Sequence, residues 1–218
     1  MQKIHHRVKN NLQVITSLLR IQAARLGNPD VAAVLAEMEN RVRAIAALHE
    51  TLYNSEDLAQ IEFGFYTQQL VRGLVHFYGI DENRLSVTVD TADLVVDIGQ
   101  AIPLGLILNE LVTNCFKHAF PEGRPGKVNV RLAYVPNRLT IGKGQSLEGG
   151  RGQLVVQDNG VGLPPDLSWE ETSSMGLHLV NVLVRQLQGQ LEVASPPGTT
   201  VTIQFPLERR NESEDSVS

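Results

Sequence analysis

The chain has 218 residues, 42 % of them hydrophobic and 20 % charged, which suits one large or two modest globular domains with a real core. A formal net charge of −5 gives no electrostatic case for nucleic acid or an anionic membrane surface. The only cysteine, Cys115, rules out an internal disulfide and fits a cytoplasmic setting, and no apolar run approaches the ~18 residues of a membrane span.

Residues 1 to 26 carry Ile4, Val8, Leu12, Ile15 and Leu19 at helical spacing, with Val14, Leu18 and Ile21 widening the stripe. Gly27-Asn28-Pro29-Asp30 breaks this pattern, with Gly27 suited to a C-cap, Asn28 to an N-cap and Pro29 to the first helical position. A second helix, about 31 to 54, repeats Val31, Leu35, Met38, Val42, Ile45 and Leu52. Two helices of ~24 residues would each be ~36 Å long. Stripes this wide leave apolar surface uncovered, so a second copy should complete a four-helix bundle, or else the second domain covers it. No signal peptide opens the chain, and Met1 precedes His6 with no cap or lead-in, so we expect an upstream sensor region to be missing from this chain or to lie on another protein.

His6 lies roughly 160–170° from the centre of the apolar stripe, on a face with Asn10, Gln13 and Ser17. His5 sits on the shoulder of the stripe. A histidine on a polar helix face is commonly a plain surface residue, and it is also what a phosphoryl acceptor needs: an imidazole reachable from outside and free to attack in line. A metal pair fits poorly, because adjacent histidines point ~100° apart and no i, i+4 ligand partner exists.

From about 58 the pattern changes to that of an α/β domain. Tyr66 to Tyr78 reads as an amphipathic helix, Leu85 to Val89 and Leu94 to Ile98 as strands, and Asp97 with Gln100 as a capping box opening the next helix. Along Leu108 to Phe120, Leu104, Leu108, Leu111, Val112, Cys115 and Phe116 form one face. Glu110, Asn114, Lys117 and His118 form the other. A carboxylate and a carboxamide oxygen suit Mg²⁺, and an ammonium one turn on suits phosphate oxygens; an ordinary solvated helix face is the plainer alternative. Val128 to Leu132 and Leu139 to Ile141 read as a strand pair turning at Pro136-Asn137. Gly142 to Gly152 follows as a flexible glycine-rich loop, without the spacing of a Walker motif.

Leu154 to Gln157 is a buried strand running into Asp158-Asn159-Gly160-Val161-Gly162. An acidic residue ending an apolar strand can accept a hydrogen bond from an amine such as adenine N6, and Gly160 and Gly162 would let the backbone approach a flat ring. A simple turn is the plainer reading. Pro164 to Ser174 reads as a lid-like loop. A helix from Leu177 to Leu187, opened by Ser174-Met175-Gly176, offers free N–H groups to phosphate. Leu191 to Val193 and Thr200 to Phe205 are closing strands, and 208–218 is a polar tail expected to be disordered.

Four stretches in this order, HHRVKNNLQ at 5–13, LNELVTNCFKHAF at 108–120, VQDNGVGLP at 156–164 and SMGLHLVNVLVRQLQG at 174–189, resemble sensor histidine kinases. The likeness is to the subgroup marked by an HRVKNNLQ acceptor box, and GTTVTIQF at 198–205 matches the last strand of the gyrase- and chaperone-type ATP-binding fold. It implies an α+β architecture with three parts. A dimerisation and acceptor hairpin covers 1–57, an α/β sandwich ATP-binding domain with a mixed sheet covers 58–207, and the tail covers 208–218.

The resemblance also implies roles. His6 would accept the phosphoryl group, Asn114 would bind Mg²⁺, and Glu110 would be the acidic residue that orients the attacking group. Lys117 and His118 would lie near the phosphates. Asp158 would read the adenine amine beside Gly160, Gly162 and Thr199, and Gly176 and Leu177 would stand at the phosphate end. The implied activity is ATP- and Mg²⁺-dependent autophosphorylation by a homodimer, then transfer to an aspartate on a response regulator receiver domain, with 54–62 as a hinge. This chain departs from many histidine kinases in having Arg7 after the acceptor where an acid is usual, Cys115 where a small residue is usual, and SMG in place of GxG. The alternatives are a histidine phosphotransfer or adaptor protein that does not bind ATP, and a plain ATPase or anti-sigma-type kinase of the same fold.

Overall fold

The computed structural model describes the backbone of residues 2–54, 60–141, 145–164, 169 and 175–207, and the side chains of 10–47, 60–136, 150–164, 169 and 175–207. The side chains of His5 and His6, most of the expected hinge and lid, part of the glycine-rich loop and the tail lie outside the described residues.

Two long helices, α1 (Gln2–Leu26) and α2 (Pro29–Asn54), form an antiparallel hairpin. Gly27 takes φ +59°, and the Asn28 side chain accepts from the N–H groups of Asp30 and Val31 at 2.9 and 3.4 Å, so the reversal is capped from both sides. Among the described residues of α1 much of the apolar stripe stays exposed, including Val14, Ile15, Leu18 and Ile21.

The second unit starts with β1 (Gln60–Glu62), a three-residue strand that the sequence pattern had not revealed, followed by α3 (Phe63–Phe77). β1 pairs antiparallel with β3 (Val95–Asp97) in a separate two-stranded sheet. The main sheet contains β2 (Leu85–Thr91), β4 (Gly126–Ile141), β5 (Gln145–Asp158), β6 (Gln190–Ala194) and β7 (Thr199–Pro206), in the order β2-β4-β5-β7-β6. β2 and β4 are parallel and the other pairs antiparallel, so the sheet is mixed. Val128, Val130, Leu132, Leu154, Val156, Val201, Ile203 and Phe205 alternate onto one buried face. Helices α3, α4 (Ile98–Asn114) and α5 (Met175–Gln186) cover that face, giving a two-layer sandwich.

Two expectations are corrected. The chain does not turn at Pro136-Asn137: β4 runs on to Ile141 and pairs with β5 back to Gln145. β2 stops at the Thr91–Leu132 pair, so beyond it β4 is an edge strand, where proline is tolerated. Most of the glycine-rich stretch is therefore strand rather than loop. Aromatic rings occupy the space of its missing side chains: a Cβ on Gly150 would fall 1.9 Å from the Tyr134 ring, and one on Gly152 2.2 Å from Phe205.

The second correction concerns the central helix. α4 is opened by Asp97, whose carboxylate accepts from the Gln100 N–H at 3.0 Å. The Gln100 side chain, however, donates to the Pro206 carbonyl at 2.7 Å rather than closing the box. After Asn114 the helix widens into a π-helical turn, Cys115–Ala119, so the regular 100° wheel does not apply from there onward. Nor is Glu110 solvated: it is 7 % exposed, beneath α2.

Candidate nucleotide site

A cavity of about 450 Å³ opens between the start of α5, the C-terminal half of α4, the end of β5 and the flank of α2. That size lies within the range of roughly 300–1,000 Å³ typical of small-molecule sites. Of the residues singled out in the sequence, Glu110, Asn114, His118, Asp158, Gly162, Gly176, Leu177 and Thr199 all line it. Gly160 does not, nor does Lys117, which pairs with Glu37, a lining residue on α2.

One end of the cavity is closed by Asp158, 4 % exposed at the last position of β5. Its Oδ1 accepts from the Gly160 N–H at 2.8 Å and the Thr199 N–H at 3.3 Å, while the Cys115 thiol donates to Oδ2 at 3.7 Å. Backbone amides thus hold the carboxylate in one orientation, and it keeps free lone pairs for a donor entering from the cavity. Burial, with the Asp158 charge beside it, pushes the Cys115 thiol far above its ordinary value, so it serves as a neutral donor.

Gly160 and Gly162 are also needed for packing within the protein. A Cβ on Gly160 would stand 2.2 Å from the Ala119 carbonyl oxygen, and one on Gly162 2.6 Å from Ser195 Oγ. These glycines let the loop close tightly on its protein neighbours. The turn Pro196-Pro197-Gly198, whose Pro196-Pro197 bond is cis, packs from the other side: Gly198, at φ +67°, has the Asp158 carbonyl oxygen 2.0 Å from where its Cβ would be.

The other end is polar. Gly176 opens α5 there, and a Cβ on it would meet Glu110 Oε2 at 2.6 Å. The Trp169 ring N–H donates to Asn181 Oδ1 at 3.2 Å and so pins the cavity wall to α5. Asn109 and Thr113 also line the cavity, and Asn109 Oδ1 and Thr113 Oγ1 are buried with no hydrogen-bond partner among the described residues. Buried oxygens left unsatisfied are what a polar ligand or its waters would complete. Among the described residues no group of three or more His, Cys, Asp or Glu could hold a metal by itself. Asn114, which lines the cavity, offers a carboxamide oxygen of the type that Mg²⁺ accepts alongside phosphate oxygens.

Sequence reasoning missed the contribution of α2. Arg41 donates from Nε to Glu110 Oε1 at 2.8 Å and from Nη2 to Oε2 at 2.9 Å, a bidentate pair, and from Nη1 to the Met175 sulfur at 3.4 Å. The hydrogen bond to Glu110, set against partial burial, raises the Arg41 pKa above its ordinary value. Asn40 donates to the Tyr78 hydroxyl at 2.9 Å, and the Tyr66 hydroxyl donates to the Ala44 carbonyl at 3.0 Å. The available signal was the i, i+4 pair Glu37 and Arg41, complementary in charge to Lys117 and Glu110.

Two family models match the chain: one described as histidine kinase over residues 3–78, and one as histidine kinase-, DNA gyrase B-, and HSP90-like ATPase over 99–209. The chain is 34 % identical over 215 residues to the sensor histidine kinase PdtaS of Mycobacterium tuberculosis, which covers 96 % of this chain and 40 % of that protein. It is 29 % identical over 219 residues to blue-light-activated histidine kinase 2 of Erythrobacter litoralis, covering 96 % of this chain and 58 % of that one. It thus spans between two-fifths and three-fifths of the length of these relatives. In structure it is similar to the histidine kinase domain of the E. litoralis EL346 blue-light activated kinase, with a TM-score of 0.67 at 28 % identity over 94 % of this chain and 90 % of that one. The Acinetobacter baumannii histidine kinase AdeS, with a TM-score of 0.51 at 15 % identity over 91 % of this chain and 98 % of that one, shares the fold alone.

Proposed function

This chain belongs to the histidine kinases that carry a histidine kinase-, DNA gyrase B- and HSP90-like ATPase domain, and from that premise we propose that it moves the γ-phosphoryl of ATP to its own His6. The observation that carries the reading is the cavity itself: a backbone-held carboxylate, Asp158, faces one end, and Glu110, Asn114 and the start of α5 face the other. Asp158 accepts from the adenine amine. The N–H groups at the start of α5 and Lys117, once freed from Glu37, meet the phosphates. Asn114, with the phosphate oxygens, would hold Mg²⁺, whose charge would supply the neutralisation that phosphoryl transfer through a loose transition state chiefly needs.

In the transfer, a lone pair on the neutral His6 ring forms an N–P bond as the bond from γ-phosphorus to the β-bridging oxygen breaks, and its electron pair leaves with ADP. Glu110, once freed from Arg41, orients the ring and takes the ring proton. The phosphoryl group then passes to an aspartate of a receiver domain on a partner. The exposed stripe Val14, Ile15, Leu18 and Ile21 supports a second copy completing a four-helix bundle. No helix among the described residues is long and apolar enough to cross a membrane, and we place the catalytic unit in the cytoplasm.

Labelling with [γ-³²P]ATP tests the reading. An acid-labile, alkali-stable label lost in His6→Ala and kept in His5→Ala is the expected result. Label surviving in His6→Ala would exclude His6 as the acceptor.

A further inference from the structure

Arg41 lies outside the four stretches that carry the resemblance, yet it grips Glu110, the carboxylate assigned to the transfer step. The geometry points to Arg41 as a latch that parks the ATP domain on α2, away from the acceptor and with its catalytic carboxylate neutralised. The inference rests on the kinase reading above and adds a resting state to it.

Position along the hairpin supports a parked state. The helices reverse at Gly27–Asn28, and Arg20 of α1 pairs with Glu39 of α2 at 2.7 Å. Antiparallel counting from either landmark puts Arg41 level with roughly residues 14–18 of α1, so position 6 is ~12–18 Å further along the hairpin. In-line transfer needs reacting atoms ~3–3.5 Å apart. A second hairpin related by a two-fold along the bundle axis would present its own position 6 at the same level, so the offset holds for either acceptor.

Chemistry supports it too. Both charged groups at the phosphate end are taken by α2: Glu110 by Arg41, and Lys117 by Glu37. The pair with Arg41 is largely desolvated, the side chains being 14 % and 9 % exposed. The contact is also built to part. Its buried polar members, Asn40 on α2 and Glu110 on α4, border the cavity, as suits a surface that is wetted when the domains separate. The apolar part of the contact lies one turn on, where Ala44 is 2 % exposed and its carbonyl holds Tyr66. It can stay engaged as a pivot while Arg41 lets go.

Two measurements on the whole chain test the latch. With saturating Mg·ATP, Arg41→Ala should label its histidine at least about threefold faster than wild type, and Glu37→Gln should label faster by a smaller factor. Rates unchanged or lower in Arg41→Ala would overturn the latch, a lower rate showing that Arg41 assists transfer instead. The second readout does not depend on activity. Spin labels at the exposed positions Arg25 and Glu192, in a Cys115→Ser background diluted with unlabelled chain, should give a single narrow distance. Arg41→Gln should broaden it and add a second population, and an unchanged distribution would overturn the latch. If neither wild type nor variant labels but the distance changes, the kinase reading fails and the latch stands.

Discussion

The two ends of the cavity are built on different principles. The Asp158 end belongs wholly to the sheet domain: two backbone amides and a buried thiol hold the carboxylate, and close-packed glycines fix the loops around it. The Glu110 end is shared between domains, with α2 supplying Arg41, Glu37 and Asn40, and it keeps unsatisfied oxygens. A recognition site can be rigid, because the group it reads does not change. A transfer site must admit first a nucleotide and then an acceptor from another domain, so its contacts are polar, charged and exchangeable.

This contrast can be broken most forcefully at Asn114. Replacing it with Ala should cut autophosphorylation by ~100-fold or more, since several kcal/mol of charge stabilisation depend on a correctly held metal. Labelling at the wild-type rate would remove Asn114 from the metal site. At the other end, Asp158→Ala should weaken ATP binding by ~10–100-fold, the value of a hydrogen bond to a charged group of about 1.5–3 kcal/mol. Calorimetric titration reads this, and unchanged affinity would mean that Asp158 holds only its own loops.

The rigidity of the Asp158 end has its own test. Gly160→Ala places a methyl 2.2 Å from the Ala119 carbonyl and should cost about 1–3 kcal/mol in denaturant unfolding. A neutral result would show that this end yields as readily as the other.

The smallest effect belongs to the hairpin. Glu39 is buried, which alone would raise its pKa, but hydrogen bonds from Arg20 and Arg43 outweigh that and hold it below the usual carboxylate value. Its contribution is present above the unfolded-state pKa and lost as pH falls through the lower folded-state pKa. Glu39→Gln should lower stability by about 1 kcal/mol at pH 7, with the difference closing in acid. A difference constant across pH would mean that the carboxylate's charge is not what matters.

The sequence made the Asp158 end legible and hid much of the other. An acid closing an apolar strand, the cap at Asp97, the turn at Gly27-Asn28-Pro29 and the alternation of β7 are local patterns, and each has a local physical cause. The π-helical turn after Asn114 has no comparable signature, so a regular wheel misses the change of winding there, although His118 still lines the cavity with Glu110 and Asn114. Pro136 read as a turn because its tolerance depends on β2 ending at Thr91, a fact about a neighbouring strand. Arg41 reads as an ordinary solvated charge until α2 is laid against α4.

The central claim is that this cavity delivers a phosphoryl group to the first helix of its own hairpin or of a second copy. Tandem mass spectrometry of the chain, quenched in alkali after incubation with Mg·ATP, tests it most directly. The account predicts a phosphoryl group on the peptide containing His6 and at that ring. A modification located on any other residue, or none in protein that binds ATP, would contradict it.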